Sequence, residues 1–497
     1  MSSRPAVLHR AIVARSIASA DPARQRWTAA FAPSGHFNRT IVAASLFLVD
    51  PLLETAARTL AGFASGLELR DVPAVDVERA TQCLVDTVGV SLLGSSMPWA
   101  KMARRYAEHY AGVGTSRIIG SPACVSAPLA ALANGVAAHA FEFDSLRRPG
   151  AGVHPGAALV PVALALGEEL HSTGAEVLAA IVAGCEVMFR IGMASRHSAE
   201  GRGFHAPGLT GPFGAAIVAG RLLRLDSDEL CQALGIVGSL CSGLLAFAKS
   251  DNGAMVKRLH LGRAAESGIL AARLARSGFE GPDTILDGRF GFLDAYCAES
   301  DVALLTAGLG QRWETHTLCI KRYPCHVTAH SAVESVRALR KEHRFTVDDV
   351  SRICVRASAK VVSHHSARQA NDVMGAQYSV PFCVAIAFVD DVDDPYAFGE
   401  RALANPQVAA LASMVTCETW AEAPTGWASD VLIELRDGRT LQRTTDDFPG
   451  TPTLPLSHEQ LEAKFMRCAG EYRNAQPLLE QLQAISSVGD VATLPLG

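Results

Sequence analysis

The chain has 497 residues, which at about 150 residues per domain allows two to three domains with sizeable cores. Its 45 Lys and Arg nearly balance 50 Asp and Glu, and only 19% of residues are charged against 49% apolar, so it lacks the cation surplus that a nucleic-acid partner requires. Aromatics make up 6%, and the apolar share rests on Ala, Leu and Val with 42 Gly, a composition for closely packed helices rather than an all-β sandwich.

In chain order, residues 1–50 read as an extension. The first 40 carry Arg4, Arg10, Arg15, Arg24, Arg26 and Arg39 against one acid, Asp21, which also fits an organellar transit peptide. The apolar run Ile41 to Val49 is too short to span a bilayer and ends at Asp50-Pro51. Residues 51–315 form the expected helical domain, with apolar residues at three- and four-residue steps. Helices are predicted at Thr81 to Leu93, Gly174 to Met193 and Gly211 to Leu225, all rich in Ala and Gly. Asp226, Ser227 and Asp228 before Glu229 mark another helix start, since short polar side chains cap free N–H groups.

The texture changes in 316–452. Val350 to Ala357 alternates with the period of a strand, Gln377 to Val389 reads as a helix, and Asp430 to Thr444 reads as a hairpin turning at Asp437-Gly438. Residues 453–497 return to helix, with Ser457 and Gln460 forming a capping box. The expected fold class is therefore mainly α, a large all-helical domain with a smaller inserted α+β lid domain. The 12 cysteines are scattered without a CxxC pair, which fits the reducing cytoplasm, or a mitochondrion if the Arg-rich start is a transit peptide.

Four segments concentrate His, Lys and acids among Gly and Pro. They are His139 to Ala157, with Glu142, Asp144 and His154; Gly203 to Gly214, where His205 precedes a helix; Met255 to Gly268, with Lys257 and His260 on one helical face; and Ile320 to His330, with Lys321, Arg322, Tyr323, His326 and His330. His326 and His330 have the spacing of a helical metal pair, but the HExxH glutamate and a third ligand are missing, so no metal is expected. His364-His365 reads as surface loop. No GxGxxG, GxxxxGK[ST] or GxSxG signature is present, which argues against nucleotide chemistry and serine hydrolysis. What remains is acid–base work on a carboxylate-bearing small molecule, with cations offsetting developing negative charge and histidines moving protons.

At these segments the sequence resembles the MmgE/PrpD family. The likeness runs from about Gly66 to Cys468 through LVDTVGVSLLGS at Leu84 to Ser95, ANGVAAHAFEFD at Ala133 to Asp144, HPGAALVPVALALGE at His154 to Glu168, VKRLHLGRAAESGILAA at Val256 to Ala272 and KRYPCHVTAHSAVE at Lys321 to Glu334. The resemblance implies a helical domain, a lid, a pocket between them, a homodimer and no required cofactor. It also implies pocket histidines at His154 and His205, a helix lysine at Lys257 beside His260, a lid lysine and histidine at Lys321 and His326, and an acidic residue at Glu142 with Asp144 two further on. Two departures separate this chain from the family's decarboxylases. Phe382 stands where they have a tyrosine, with Tyr378 a turn earlier, and Leu146, Arg147 and Arg148 fill a connection that they make with a threonine and fewer residues.

The expected activity is thus a cofactor-independent lyase on a di- or tricarboxylate, foremost dehydration of a 2-methylcitrate-like hydroxy acid. The alternatives are decarboxylation of cis-aconitate to itaconate, or epimerisation next to a carboxylate. His154, His205, Lys257, His260, Lys321 and His326 are the expected catalytic set, and Glu142, Asp144, Arg147, Arg148, Arg322, Tyr378 and Phe382 the expected substrate-binding set. Neither nucleic acid nor a membrane is an expected partner.

Overall fold

Small side chains let the helices of this protein approach closely, and the computed structural model, which describes residues 54–249 and 254–497, shows where that matters. The expected extension over 1–50 lies outside the described residues. The helical region contains α1 (Ala56–Gly66), α2 (Ala74–Ser95), α3 (Pro98–Tyr110), α4 (Ala127–Ala138), α5 (Pro155–Leu170), α6 (Gly174–Ala194), α7 (Ala206–Leu222), α8 (Ser227–Gly238) and α9 (Val256–Arg276). Where α4 crosses α9, a Cβ on Gly135 would lie 2.8 Å from the Gly262 Cα, and one on Gly262 would lie 2.5 Å from the Leu132 carbonyl oxygen. Only glycine permits that crossing, and it brings the first turn of α9 against the loop that follows α4.

Helix α6 is long and apolar enough to cross a membrane, yet 94% of its apolar window is buried among other helices. An all-round apolar helix in that setting is a core helix of the bundle. Helix α7 starts at Ala206, five residues before the expected Gly211, because His205 and Pro207 open it. The expected start of α8 is present, with Asp226 accepting from the Glu229 amide and Glu229 reaching back.

Past the short helix α10 (Phe292–Tyr296), the chain enters the lid through a two-residue strand pair. Strand β3 (Leu146–Arg147) runs antiparallel to β4 (Leu318–Cys319), following the earlier pair β1 (Ser116–Arg117) and β2 (Cys124–Val125). The lid comprises α11 (His330–His343), β5 (Val350–Ala357), α12 (Ala359–His364), α13 (Val373–Tyr378), α14 (Val380–Val389), α15 (Glu400–Leu403), α16 (Pro406–Met414), β6 (Val415–Thr419), β7 (Ser429–Leu435) and β8 (Thr440–Thr445). Its sheet has the order β6-β5-β7-β8, parallel only between β5 and β6. Val350, Ile353, Val355, Val431 and Ile433 from this sheet form the lid core with Val384 and Ile386 of α14 and Val333 and Val336 of α11.

The chain enters and leaves the lid side by side. The Ile320 amide donates to the Gly450 carbonyl at 2.8 Å. Gly450 has φ 108°, and a Cβ there would collide with the Ile320 carbonyl oxygen at 1.9 Å, so this neck of the lid requires glycine. Helices α17 (His458–Ala469) and α18 (Ala475–Gln483) then return to pack on α2, with the Phe465 ring 3.0 Å from where a Gly89 Cβ would be. The single helix expected over 377–389 is two. It breaks at Ser379, whose hydroxyl caps the Phe382 amide at 3.0 Å, because Pro381 has no N–H to continue the ladder. That break leaves Tyr378 as the last residue of α13.

Candidate active site

The loop that follows α4 carries two functional clusters on alternate residues. Phe141 and Glu142 are both left-handed, with φ 62° and 52°, a conformation that non-glycine residues adopt only when their surroundings enforce it. This turn points the Glu142 carboxylate into a group of buried cations. Lys257 pairs with Glu142 Oε1, Arg258 reaches the same oxygen at 2.8 Å, and Lys321 lies 3.4 Å from Oε2. The Tyr378 hydroxyl completes the group, accepting from Lys257 Nζ at 2.5 Å and donating to Glu142 Oε1 at 3.2 Å.

Burial alone would push the Glu142 pKa up, but Lys257, Lys321 and Arg258 outweigh it and hold the carboxyl well below its usual range. Burial lowers Lys257 to about 8 in spite of Glu142, with Arg258 and Lys321 adding to the effect. Three cations thus face one carboxylate in a site closed to water. Such a surplus of buried positive charge is costly unless a further anion shares it.

Two residues on, Asp144 organises the histidines. Its Oδ2 is 2.8 Å from His139 Nδ1 and 2.9 Å from His154 Nδ1, and despite its burial the two imidazoles hold its pKa well below the carboxylate norm. His139 is fully buried, and burial drops its pKa to about 3 against the attraction of Asp144. The His139 ring stands 4.9 Å from that of His154 and 6.2 Å from that of His205. His205 Nδ1 and His260 Nδ1 are 2.9 Å apart, sharing one proton between neutral rings. Burial first, then Lys257, lowers both of these pKa values, His205 the further. His154 and His205 are the N-cap residues of α5 and α7, so two helix N-termini, with their positive partial charge, abut this wall.

The lid supplies the opposite wall. His326 stacks on His365 with centroids 4.2 Å apart and lies 5.0 Å from the Tyr378 ring. Burial and then His365 push His326 well below the ordinary imidazole value, while burial and then Lys360 bring His365 to about 4. His365 is therefore no surface residue as expected. Helix α12 ends at His364, which is exposed, and the chain turns His365 inward beneath Val380, whose amide donates to the His365 carbonyl.

The expected substrate-binding arginines are engaged elsewhere. Arg147 pairs with Glu314 at 2.7 Å, Arg148 pairs with Asp447 and lies over the Trp427 ring, and Arg322 is held by Asp393 at 2.8 Å and by Glu334. In this arrangement their charges are matched by carboxylates. Phe382 faces the lid core with Val384 and Ile386 rather than the cation cluster. His330 sits between Tyr323 and Phe448, apart from His326.

One trio among the described residues, His139, Asp144 and His154, has its donor atoms within 4.8 Å of one another, a spacing that a divalent transition metal can bridge. In this arrangement Asp144 Oδ2 is hydrogen-bonded to His139 Nδ1, while His154 Nδ1 lies 2.9 Å away without a hydrogen bond of its own. Arg258, His139 and His365 are residues that sequence reasoning left out, and Arg258 directly follows Lys257. His139 opens the HAFEFD stretch and could have been found there, whereas nothing local distinguishes His365 from its exposed neighbour.

Buried cations beside imidazoles from both parts of the chain suit acid–base chemistry next to an anion. Comparison with known proteins agrees. Residues 58–305 match the MmgE/PrpD N-terminal domain and residues 323–487 the MmgE/PrpD C-terminal domain, so the chain belongs to the MmgE/PrpD family. It is 28% identical to the cis-aconitate decarboxylase of Homo sapiens over 466 residues, covering 88% of this chain and 93% of that protein. It is 28% identical to the cis-aconitate decarboxylase of Aspergillus terreus, over 82% and 88% of the two chains. A cis-aconitate decarboxylase-like protein of Aspergillus oryzae is 26% identical over 84% and 91%.

Proposed function

We propose that this lyase decarboxylates cis-aconitate to itaconate, in place of the dehydration favoured by sequence reasoning. The observation that carries the reading is the buried surplus of Lys257, Arg258 and Lys321 over Glu142, set against a wall of histidines. The names of the relatives support decarboxylation over the family's other reactions. The departure at Phe382 loses its weight, because Tyr378 brings a phenol to Lys257 from one turn earlier.

The substrate's chemistry fits such a site. The carbon–carbon bond to the carboxylate on the methylene arm breaks and releases carbon dioxide. Its electron pair forms the new terminal double bond. The pair of the old double bond moves to the carbon beside a retained carboxylate, and that carbon takes a proton. Lys257 and Lys321 hold the retained carboxylates and offset the charge that builds on them. His154, partly exposed and with its Nδ1 2.9 Å from Asp144 Oδ2, is the proton donor.

Incubating the protein with cis-aconitate and following products by proton NMR tests this. Itaconate appearing with one equivalent of carbon dioxide is the expected result. Turnover of 2-methylcitrate or citrate to an unsaturated acid with cis-aconitate left intact would return the assignment to dehydration.

A further inference from the structure

The strained turn at Phe141 and Glu142 is held from outside by donors that come from distant parts of the chain. Gln377 Nε2 donates to the Phe141 carbonyl at 3.0 Å, Lys321 Nζ to the Glu142 carbonyl at 2.8 Å, and Lys464 Nζ to the Phe143 carbonyl at 3.1 Å. Three consecutive carbonyls are thus each taken by a long side chain, two from the lid region and one from α17. Lys464 is anchored in turn by Asp86 of α2 at 2.5 Å and also donates to the Lys321 carbonyl at 2.7 Å. Gln377 is 1% exposed, and its own carbonyl accepts from the His326 amide at 2.8 Å, so one residue of α13 ties the lid histidine to the helical-side loop.

Consecutive left-handed residues other than glycine are strained, and they persist only when the surroundings over-determine them. The donors at 141 and 142 belong to the segment that carries the lid. We propose that Gln377 is a positioning residue: its bond to the Phe141 carbonyl holds the Phe141–Glu142 turn in the conformation that sets Glu142 against Lys257, so that seating the lid and assembling the cation cluster are one event. Gln377 touches neither Lys257 nor the Glu142 carboxylate among the recorded hydrogen bonds, and it acts through the loop backbone. Its kinetic consequence rests on the decarboxylase reading, whereas its structural consequence does not.

The test compares wild type with Gln377→Met, which keeps length but cannot donate, and Gln377→Glu, which keeps shape but accepts when ionised. Hydrogen exchange of the amides of residues 141–146 is expected to speed up about tenfold or more in both variants, with α5 and α7 unchanged, because one buried donor is lost from a strained turn. On cis-aconitate, kcat is expected to fall about tenfold while KM moves less than about threefold, the pattern of a lost assembled fraction rather than a lost substrate contact. Lowering the pH is expected to restore part of the Gln377→Glu rate relative to Gln377→Met, since a protonated carboxyl can donate. Glu142, Tyr378, Lys257, Lys321 and His326 face both variants alike and cancel in that ratio. Exchange at 141–146 like wild type in both variants would overturn the proposal. If wild type does not turn over cis-aconitate at all, the functional reading falls, and the exchange measurement still decides the role of Gln377.

Discussion

The two clusters that hang from the loop after α4 are both largely buried and yet differ in charge. Around Glu142, Lys257, Arg258 and Lys321 gather on one carboxylate, and Lys257 also donates to the Tyr378 phenol. Around Asp144, burial wins, and His139, His205 and His260 are driven toward neutrality. One carboxylate lies within 2.9 Å of both His139 and His154 on that side, and among the described residues no acid pairs with His205 or His260. Each side has one carboxylate, so the difference follows from basicity: ammonium and guanidinium groups start far above neutrality and survive the cost of burial, whereas imidazole, starting at about 6.5, does not. The division suits the chemistry, since substrate carboxylates need fixed charge to bind and protons move best from groups whose charge the substrate itself restores.

Removing the fixed charge should have the largest effect. Lys257→Met is expected to cut kcat/KM about a thousandfold, because it strips the carboxylate seat and leaves Glu142 less well paired. A steady-state assay checks this, and a loss under tenfold would break the contrast between the walls. His154→Gln is expected to lower kcat about a hundredfold with little change in KM, which would place proton transfer on the histidine wall. The pH profile sharpens the same point. As Lys257 loses its proton near pH 8, kcat/KM should fall on the alkaline side.

Stability should respond on the acid side. In the unfolded chain His139 and His365 titrate near their ordinary value of about 6.5. In the folded chain they titrate at about 3 and about 4. Between those values and pH 6.5 the unfolded state binds more protons, so stability falls as the pH drops through that window. Thermal melts from pH 7 to pH 4.5 should show a declining midpoint, and the decline should be shallower in His365→Phe, which keeps a stacking ring but takes up no proton. The smallest effect belongs to Arg322→Ala. Its salt links are on the lid, partly exposed, and kcat/KM should stay within about twofold of wild type.

Much of this was legible in the sequence where local chemistry decides structure. The Asp226 and Ser457 caps, the strand at 350–357 and the hairpin at 437–438 follow from side chains acting on their own backbone, and each is present. Lys257 and His260, three apart, do share a helical face, the one reaching Glu142 and the other His205. What the sequence hid depends on pairing at long range. Arg147, Arg148 and Arg322 carry free charge on paper, but Glu314, Asp447 and Asp393, each dozens to hundreds of residues away, neutralise them. The break at Ser379 looked minor, yet it turns Tyr378 toward Lys257 and sends Phe382 into the lid core. His365 gains its place only because α12 stops one residue short of it.

The central claim is that an anion seated on the Lys257–Lys321 cluster recharges neutral imidazoles across the cleft. Calorimetric titration of the protein with a non-reacting tricarboxylate at pH 7, repeated in buffers of different ionisation enthalpy, measures that proton directly. The account requires net proton uptake on binding, diminished in His154→Gln, and binding at least tenfold weaker in Lys257→Met. Equal affinity in Lys257→Met, or binding with no proton exchanged in any buffer, would contradict it.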